Sequence, residues 1–154
     1  MGQTIIRPAQ VDDLKSIIGI CSEYFETSPY NTSSYRFDPD YSYEYLRRSI
    51  INPNYANYVV THEGSIIGFM VVVLGAMNFQ PGVRCYVEYI FVVPEYRSET
   101  LFEQMLSTVE ELADQVDAID ILIGDVGFNT DGFARRMRSL GYDQQAVICR
   151  RPRK

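Results

Sequence analysis

Glu88 is the residue best placed by type and surroundings to do chemistry. It is a lone acid in the most apolar strand-like run of the chain, Arg84 to Val93. Burial there would tune a carboxylate for proton transfer; the alternative is a structural carboxylate paired with an arginine such as Arg84. The lone histidine, His62, would have to carry any Ser-His-Asp triad or histidine-based metal site by itself, and it ends a strand beside the turn Glu63-Gly64-Ser65. Cys21, Cys85 and Cys149 are odd in number and have neither zinc-knuckle nor redox spacing, so they read as reduced core thiols of an intracellular protein. No metal site is expected.

A second concentration is aromatic. Six of the twelve tyrosines, Tyr30, Tyr35, Tyr41, Tyr43, Tyr45 and Tyr55, fall between residues 30 and 55, and there is no tryptophan. Tyrosine offers rigid amphipathic contact area with a polar tip. The region therefore reads as a substrate-recognition surface, as a surface for a homodimer or protein assembly, or in part as core. Asp38, Asp40 and Glu44 nearby would favour a cationic acceptor or simply be charged surface. Arg135, Arg136 and Arg138 could meet phosphates or an acidic partner, or form a solvated helix face.

The elements that must position these residues alternate. Thr4 to Arg7 is a short strand ended by Pro8. Val11, Leu14, Ile17, Ile18, Cys21 and Phe25 recur at helical spacing. After a polar loop from Thr27 to Pro39, Asp40 is the expected cap of a second helix that stops at Asn52-Pro53. Tyr58 to His62 and Ser65 to Met77 form a hairpin across Glu63-Gly64. Arg84 to Val93 follows, with Tyr86, Glu88, Ile90 and Val92 expected on one face. Leu101, Met105, Val109, Leu112 and Val116 make a helical stripe. Ala118 to Gly124 is a strand, Asp131 is the expected cap of a last helix stopping at Gly141, and Gln144 to Arg150 is a closing strand. The order is β-α-α-β-β-β-α-β-α-β. The strand-helix-strand segment from Arg84 to Gly124 implies a parallel pair inside a mixed α/β (α+β) sheet.

Composition narrows the classes. At 154 residues one domain over 1–154 is expected, with 46% hydrophobic and 22% charged residues. The runs Ile66 to Met77 and Tyr89 to Pro94 fall short of the ~20 residues of a membrane helix, and no signal peptide is visible, so no membrane partner is expected and the location is cytoplasmic. Net charge is −6. Without the basic tail at 150–154 (Arg150, Arg151, Arg153, Lys154), 10 basic residues stand against 20 acidic ones. A body at −10 repels phosphate backbones, so no nucleic acid is expected.

Four segments in this order resemble the GNAT superfamily of acetyl-CoA-dependent N-acetyltransferases: IIRPAQVDDLKSI, THEGSIIGFMVV, YIFVVPEYRSETLFEQML and GFNTDGFARRMRSLGY. The likeness spans about residues 4 to 148, with a weaker similarity to members carried by bacteriophages. It implies the GNAT-like acyl-CoA N-acyltransferase fold, acetyl-CoA as cofactor and a small-molecule or protein amine as acceptor. It implies that Ile90, Phe91, Val92 and Val93 line the pantetheine, that Arg97, Ser98, Glu99, Thr100, Leu101 and Phe102 cradle the pyrophosphate at a helix start, and that Asn129 holds the pantetheine arm. It implies Glu88 as the base that deprotonates the amine. The family's acid tyrosine falls at Met137, which has no proton to give, so Tyr142, Tyr86 or water would take that role. Thr100 and Phe102 stand where the family has small residues, and Glu99 adds a negative charge. These departures keep open a second function: a catalytically inactive GNAT-fold binding or structural protein, for example virion-associated.

Overall fold

A computed structural model of the chain describes residues 2–27, 36–124 and 130–144. The elements are β1 (Thr4–Pro8), α1 (Leu14–Tyr24), α2 (Pro39–Ile51), β2 (Tyr55–His62), β3 (Ser65–Ala76), β4 (Val83–Val92), α3 (Glu99–Gln115), β5 (Ala118–Ile123) and α4 (Thr130–Ser139). Short 3-10 turns at Val11–Asp13, Phe25–Thr27 and Pro94–Tyr96 lead into or out of them. The closing strand expected from Gln144 to Arg150 falls almost wholly outside the described residues, as do Cys149 and the side chain of Asp131.

One five-stranded sheet runs β1-β2-β3-β4-β5. The first three pairings are antiparallel, and β4 pairs β5 in parallel. The parallel pair follows from its connection: α3 carries the chain back along one face, so β5 must start where β4 started. The mixed α/β architecture expected from the element order is the one found.

Both faces of the sheet are covered. On one side Val60, Met70, Val72, Cys85 and Val87 pack against Leu101, Met105, Val109 and Leu112 of α3. On the other, Val59, Phe69 and Val71 pack against Leu14 and Ile17 of α1 and Leu46 of α2. Val59, Val60, Met70, Val72 and Cys85 are fully excluded from water. β3 is a nearly unbroken apolar run because it is buried on both faces.

Three local expectations shift. Asp38, not Asp40, caps α2: its side chain accepts the Tyr41 amide at 2.9 Å, because Pro39 occupies the first helical position and needs no amide partner. β2 begins at Tyr55, since its partner β3 continues far enough to pair Tyr55 with Val73. The third shift lies in β4. Val71 pairs with Tyr89 and Val72 with Val87, so Glu88 has no partner on β3 and forms a bulge. The extra residue breaks the two-residue alternation. Ile90 and Val92 pack with the α3 face, together with Cys85 and Val87, and Phe91 with the α1–α2 face. Tyr86, Glu88, Ile90 and Val92 therefore do not share a face.

Candidate functional site at the open edge of β4

Glu88 sits half-buried at the bulge and accepts a short hydrogen bond from the Tyr45 hydroxyl of α2. Arg84 does not reach it. Arg84 instead forms a two-pronged pair with Asp120 of β5, at 2.7 and 2.6 Å. That guanidinium holds the Asp120 carboxyl below the ordinary carboxylate range. The phenol of Tyr45 is pushed well above its ordinary range, first by burial, then by its bond to Glu88 and the charge of that carboxylate.

Beyond the bulge β4 has one neighbour instead of two. Its pairing with β5 ends at Val87↔Ile123, while its pairing with β3 continues to Val92↔Gly68. Among the described residues, the edge of Glu88 to Val92 that faces away from β3 carries no strand. Four residues at ~3.3 Å each set Val92 about 13 Å along the strand from Glu88. Gly68 keeps the closed side tight: a Cβ there would lie 2.6 Å from the Phe91 carbonyl oxygen.

The chain then turns through Pro94–Tyr96 and starts α3. Ser98 caps that helix, its hydroxyl accepting the Leu101 amide at 3.1 Å, and the Phe102 amide bonds the Ser98 carbonyl at 3.1 Å. The amides of Leu101 and Phe102 are thus engaged within the helix start, and the Leu101 side chain is buried in the core. Glu99 and Thr100, the first two helical residues, keep amides that no intrahelical bond can use. Of the six residues expected to form a cradle, Arg97, Leu101 and Phe102 have their amides engaged, that of Arg97 by the Pro94 carbonyl at 3.2 Å. The exposed Glu99 carboxylate lies 3.7 Å from Arg136 of α4, which also pairs with Glu103. The acid of the first helical turn, Glu99, therefore lies beside a cation, and Arg136 belongs to an inter-helix pair rather than a bare solvated face.

Arg97 is exposed and folds back on the strand end. Its Nε donates to the Val92 carbonyl at 2.8 Å, and its guanidinium carbon lies 5.5 Å from the centre of the Phe91 ring. Glu88, Ile90, Phe91, Val92, Val93, Arg97, Ser98, Glu99 and Thr100 thus follow one continuous line: carboxylate, open strand edge, helix start. An extended chain with an anionic end would fit that line. A strand edge offers alternating donors and acceptors, and a helix start favours negative charge.

Tyr142 donates to Glu110 at 3.1 Å, and burial, then that carboxylate, pushes its phenol up to about 12. Glu110 is eleven residues along α3 from Glu99, about 16 Å at helical rise. The Tyr142 hydroxyl is thus bonded to α3 about three turns beyond the helix start. Met137 is buried. Tyr86 is exposed, two residues ahead of Glu88 and on the doubly paired half of β4. Asn129 lies outside the described residues, as do Tyr30 and Tyr35.

Of the remaining clustered tyrosines, Tyr41 is 73% exposed, while Tyr43, Tyr45 and Tyr55 pack against the α1–α2 core. Helical periodicity divides the run, so the described tyrosines form no continuous exposed face. Sequence reasoning missed the link from Tyr45 to Glu88. The two are 43 positions apart, and nothing in local spacing signals it. His62 ends β2 as expected, with Nδ1 3.0 Å from Thr4 Oγ1 and its ring 5.1 Å from that of Tyr96. Cys21 and Cys85 are free, and burial pushes the Cys21 thiol up to about 11. Among the described residues no group of three acids, histidines or cysteines is arranged to hold a metal. No described helix is long and apolar enough to cross a membrane.

The family described as Acetyltransferase (GNAT) family matches residues 17–142. No curated protein matches the chain. Among solved structures, a transcriptional regulator from Bacillus halodurans C-125 superposes with a TM-score of 0.77 at 16% identity, over 97% of this chain and 99% of that one. The aminoglycoside N-acetyltransferase AAC(6')-Iy in complex with CoA gives 0.71 at 18% identity, over 100% and 97%. A ribosomal-protein-alanine N-acetyltransferase from Brucella melitensis biovar Abortus 2308 gives 0.69 at 13%, over 96% and 98%. At these identities the likeness is one of fold.

Proposed function

Because the chain belongs to the GNAT family of acetyltransferases, we propose that it transfers an acetyl group from acetyl-CoA to an amine. The observation that carries this reading is the bulge at Glu88. It sets a carboxylate at the point where the pairing with β5 ends, so that among the described residues Glu88 to Val92 is open on one side, with a capped helix start at the far end.

Each part has a role. The edge from Ile90 to Val93 would hold the pantetheine arm by strand-like hydrogen bonds. The amides of Glu99 and Thr100, the dipole of the 17-residue α3 and the Arg97 guanidinium would hold the pyrophosphate. Arg97 must leave the Val92 carbonyl to do so, which also frees that acceptor for the arm. Arg136 offsets the unfavourable charge of Glu99.

Glu88 would take a proton from the acceptor ammonium or amine, directly or through one water. The nitrogen then forms its bond to the acetyl carbonyl carbon, and the carbon–sulfur bond breaks. The proton left on that nitrogen passes through water to the CoA thiolate, since the Tyr142 hydroxyl is committed to Glu110. An acceptor that arrives protonated suits a half-buried carboxylate. The chain acts in this reading as one domain, whose two half-cores share a single sheet.

Calorimetric titration with acetyl-CoA and with CoA tests the reading. Micromolar binding of both is expected, followed by thiol release with at least one of neamine, spermidine or an alanyl peptide. No heat and no thermal shift at millimolar acetyl-CoA would overturn it. The second reading, a non-catalytic binding protein, would then stand, favoured by Glu99 and Phe102 at the helix start.

A further inference from the structure

Glu88 is held by a residue from a distant element. β4 supplies the carboxylate at a position with no partner on β3, so the backbone register does not fix it as a paired strand residue would be fixed. α2 supplies the hydroxyl that meets it. The ring of Tyr45 packs into the core between α1, α2 and the sheet, so the hydroxyl is presented by a rigid wall. Such a ring has two side-chain torsions, both set by packing.

The partner's chemistry matters as much as its position. An arginine in this place would hold the carboxylate as a salt and blunt it as a proton acceptor. The nearest arginine on the strand, Arg84, is committed to Asp120. A neutral phenol can orient one carboxylate oxygen and leave the other to accept a proton. The other side chains whose charge bears on Tyr45 are Tyr55 from β2 and Tyr89 from β4, both phenols. No cationic side chain of α2 is bonded to Glu88: Arg47, on the same helix, pairs with Glu44.

We infer that Tyr45 is the positioning residue of the site, its hydroxyl fixing the Glu88 carboxylate so that the free oxygen faces the acceptor amine. This inference rests on the acetyltransferase reading above. It gives α2 a part in the chemistry that no motif in the sequence assigns to it.

The test is Tyr45→Phe, which keeps the ring and removes the hydroxyl. The γ-carboxyl carbon of Glu88, assigned by its loss in Glu88→Gln, is followed by NMR across pH. A phenol donor favours the ionised carboxylate, so its removal should move the midpoint of that carbon's pH response upward. The acidic limb of the kcat profile should move with it. With the amine turned over fastest among neamine, spermidine and an alanyl peptide, kcat should fall about tenfold from lost orientation, with KM for acetyl-CoA unchanged. An unchanged midpoint together with unchanged kcat would overturn the inference, because a purely packing role predicts both. Should Tyr45→Phe fail to fold, the ζ-carbon of Tyr45 is followed in the wild-type chain and in Glu88→Gln. A shift that tracks Glu88 in the first and vanishes in the second supports the pair; a flat trace in the wild type overturns it. The two readings fail differently. Wild-type protein that turns over no amine removes the acetyltransferase reading, and Glu88's role as base with it. Active wild-type protein matched by Tyr45→Phe removes Tyr45 alone.

Discussion

The two halves of β4 have similar sequences and different work. From Val83 to Val87 the strand is bonded to β3 on one side and β5 on the other. Its inward residues, Cys85 and Val87, are buried, and its charged residue, Arg84, is tied to the neighbouring strand through Asp120. From Glu88 to Val92 it is bonded, among the described residues, to β3 only. Its charged residue, Glu88, meets a phenol instead of an ion, and its end is covered by Arg97. One extra residue at the bulge separates the two regimes. A strand closed on both sides has satisfied its backbone and serves the core. A strand open on one side keeps hydrogen-bonding capacity for a ligand, at some expense in stability. The lesson is that polarity alone does not mark the working half; an unshared edge does.

Changes in the open half should therefore act on activity, and changes in the closed half on stability. The largest effect is expected from Glu88→Gln, which removes the proton acceptor while keeping shape. It should lower kcat about 100- to 1000-fold, with acetyl-CoA binding by calorimetry nearly unchanged. A comparable loss of binding would show that the carboxylate shapes the site instead. Arg97→Glu comes next: the Kd for CoA should rise at least ~30-fold through charge reversal at the phosphates, with the melting temperature near the wild-type value. Unaltered CoA binding in this variant would move the phosphate site away from α3.

Gly68→Ala tests the closed side of the open half. The added methyl must displace the Phe91 backbone, so a cost of about 1–3 kcal/mol in urea unfolding is expected, together with a several-fold lower kcat/KM. A stability loss with full activity would show that the open edge tolerates displacement. The smallest effect belongs to the closed half. Arg84→Ala should lower the melting temperature by about 2 °C and leave kcat unchanged, because the pair it breaks is more than a third exposed. The sign of its pH dependence follows from Asp120, whose folded carboxyl is depressed, first by its hydrogen bond with Arg84. The pair contributes fully above the ordinary carboxylate value of about 3.9, and that contribution is lost as pH falls through the lower folded value. Thermal melts of both proteins between pH 7 and pH 3 should converge at the acid end.

Much of this was legible from local pattern. The helical stripe from Leu101 to Val116, the alternating run from Ala118 and the Glu63-Gly64 turn each specify an element through spacing or turn chemistry. Gly64 indeed takes a positive φ of 82°. The strand-helix-strand order determined the parallel pair, because a crossover leaves no other direction. The type of Glu88, a lone acid in an apolar strand, marked it as a candidate without any coordinates.

Only the tertiary structure decided how those residues combine. The alternation rule carried Ile90 and Val92 to the wrong face because a bulge is a property of two paired strands, not of one sequence. Asp38 took the capping role from Asp40 because the helix began at Pro39. Arg84 went to Asp120, 36 positions away, and Glu88 to Tyr45, 43 positions away. Tyr142 went to Glu110, 32 positions away. Periodicity and turn chemistry act over a few residues, and there the sequence speaks for itself. Side-chain partners across a sheet depend on register and packing, which exist only once the chain has closed on itself.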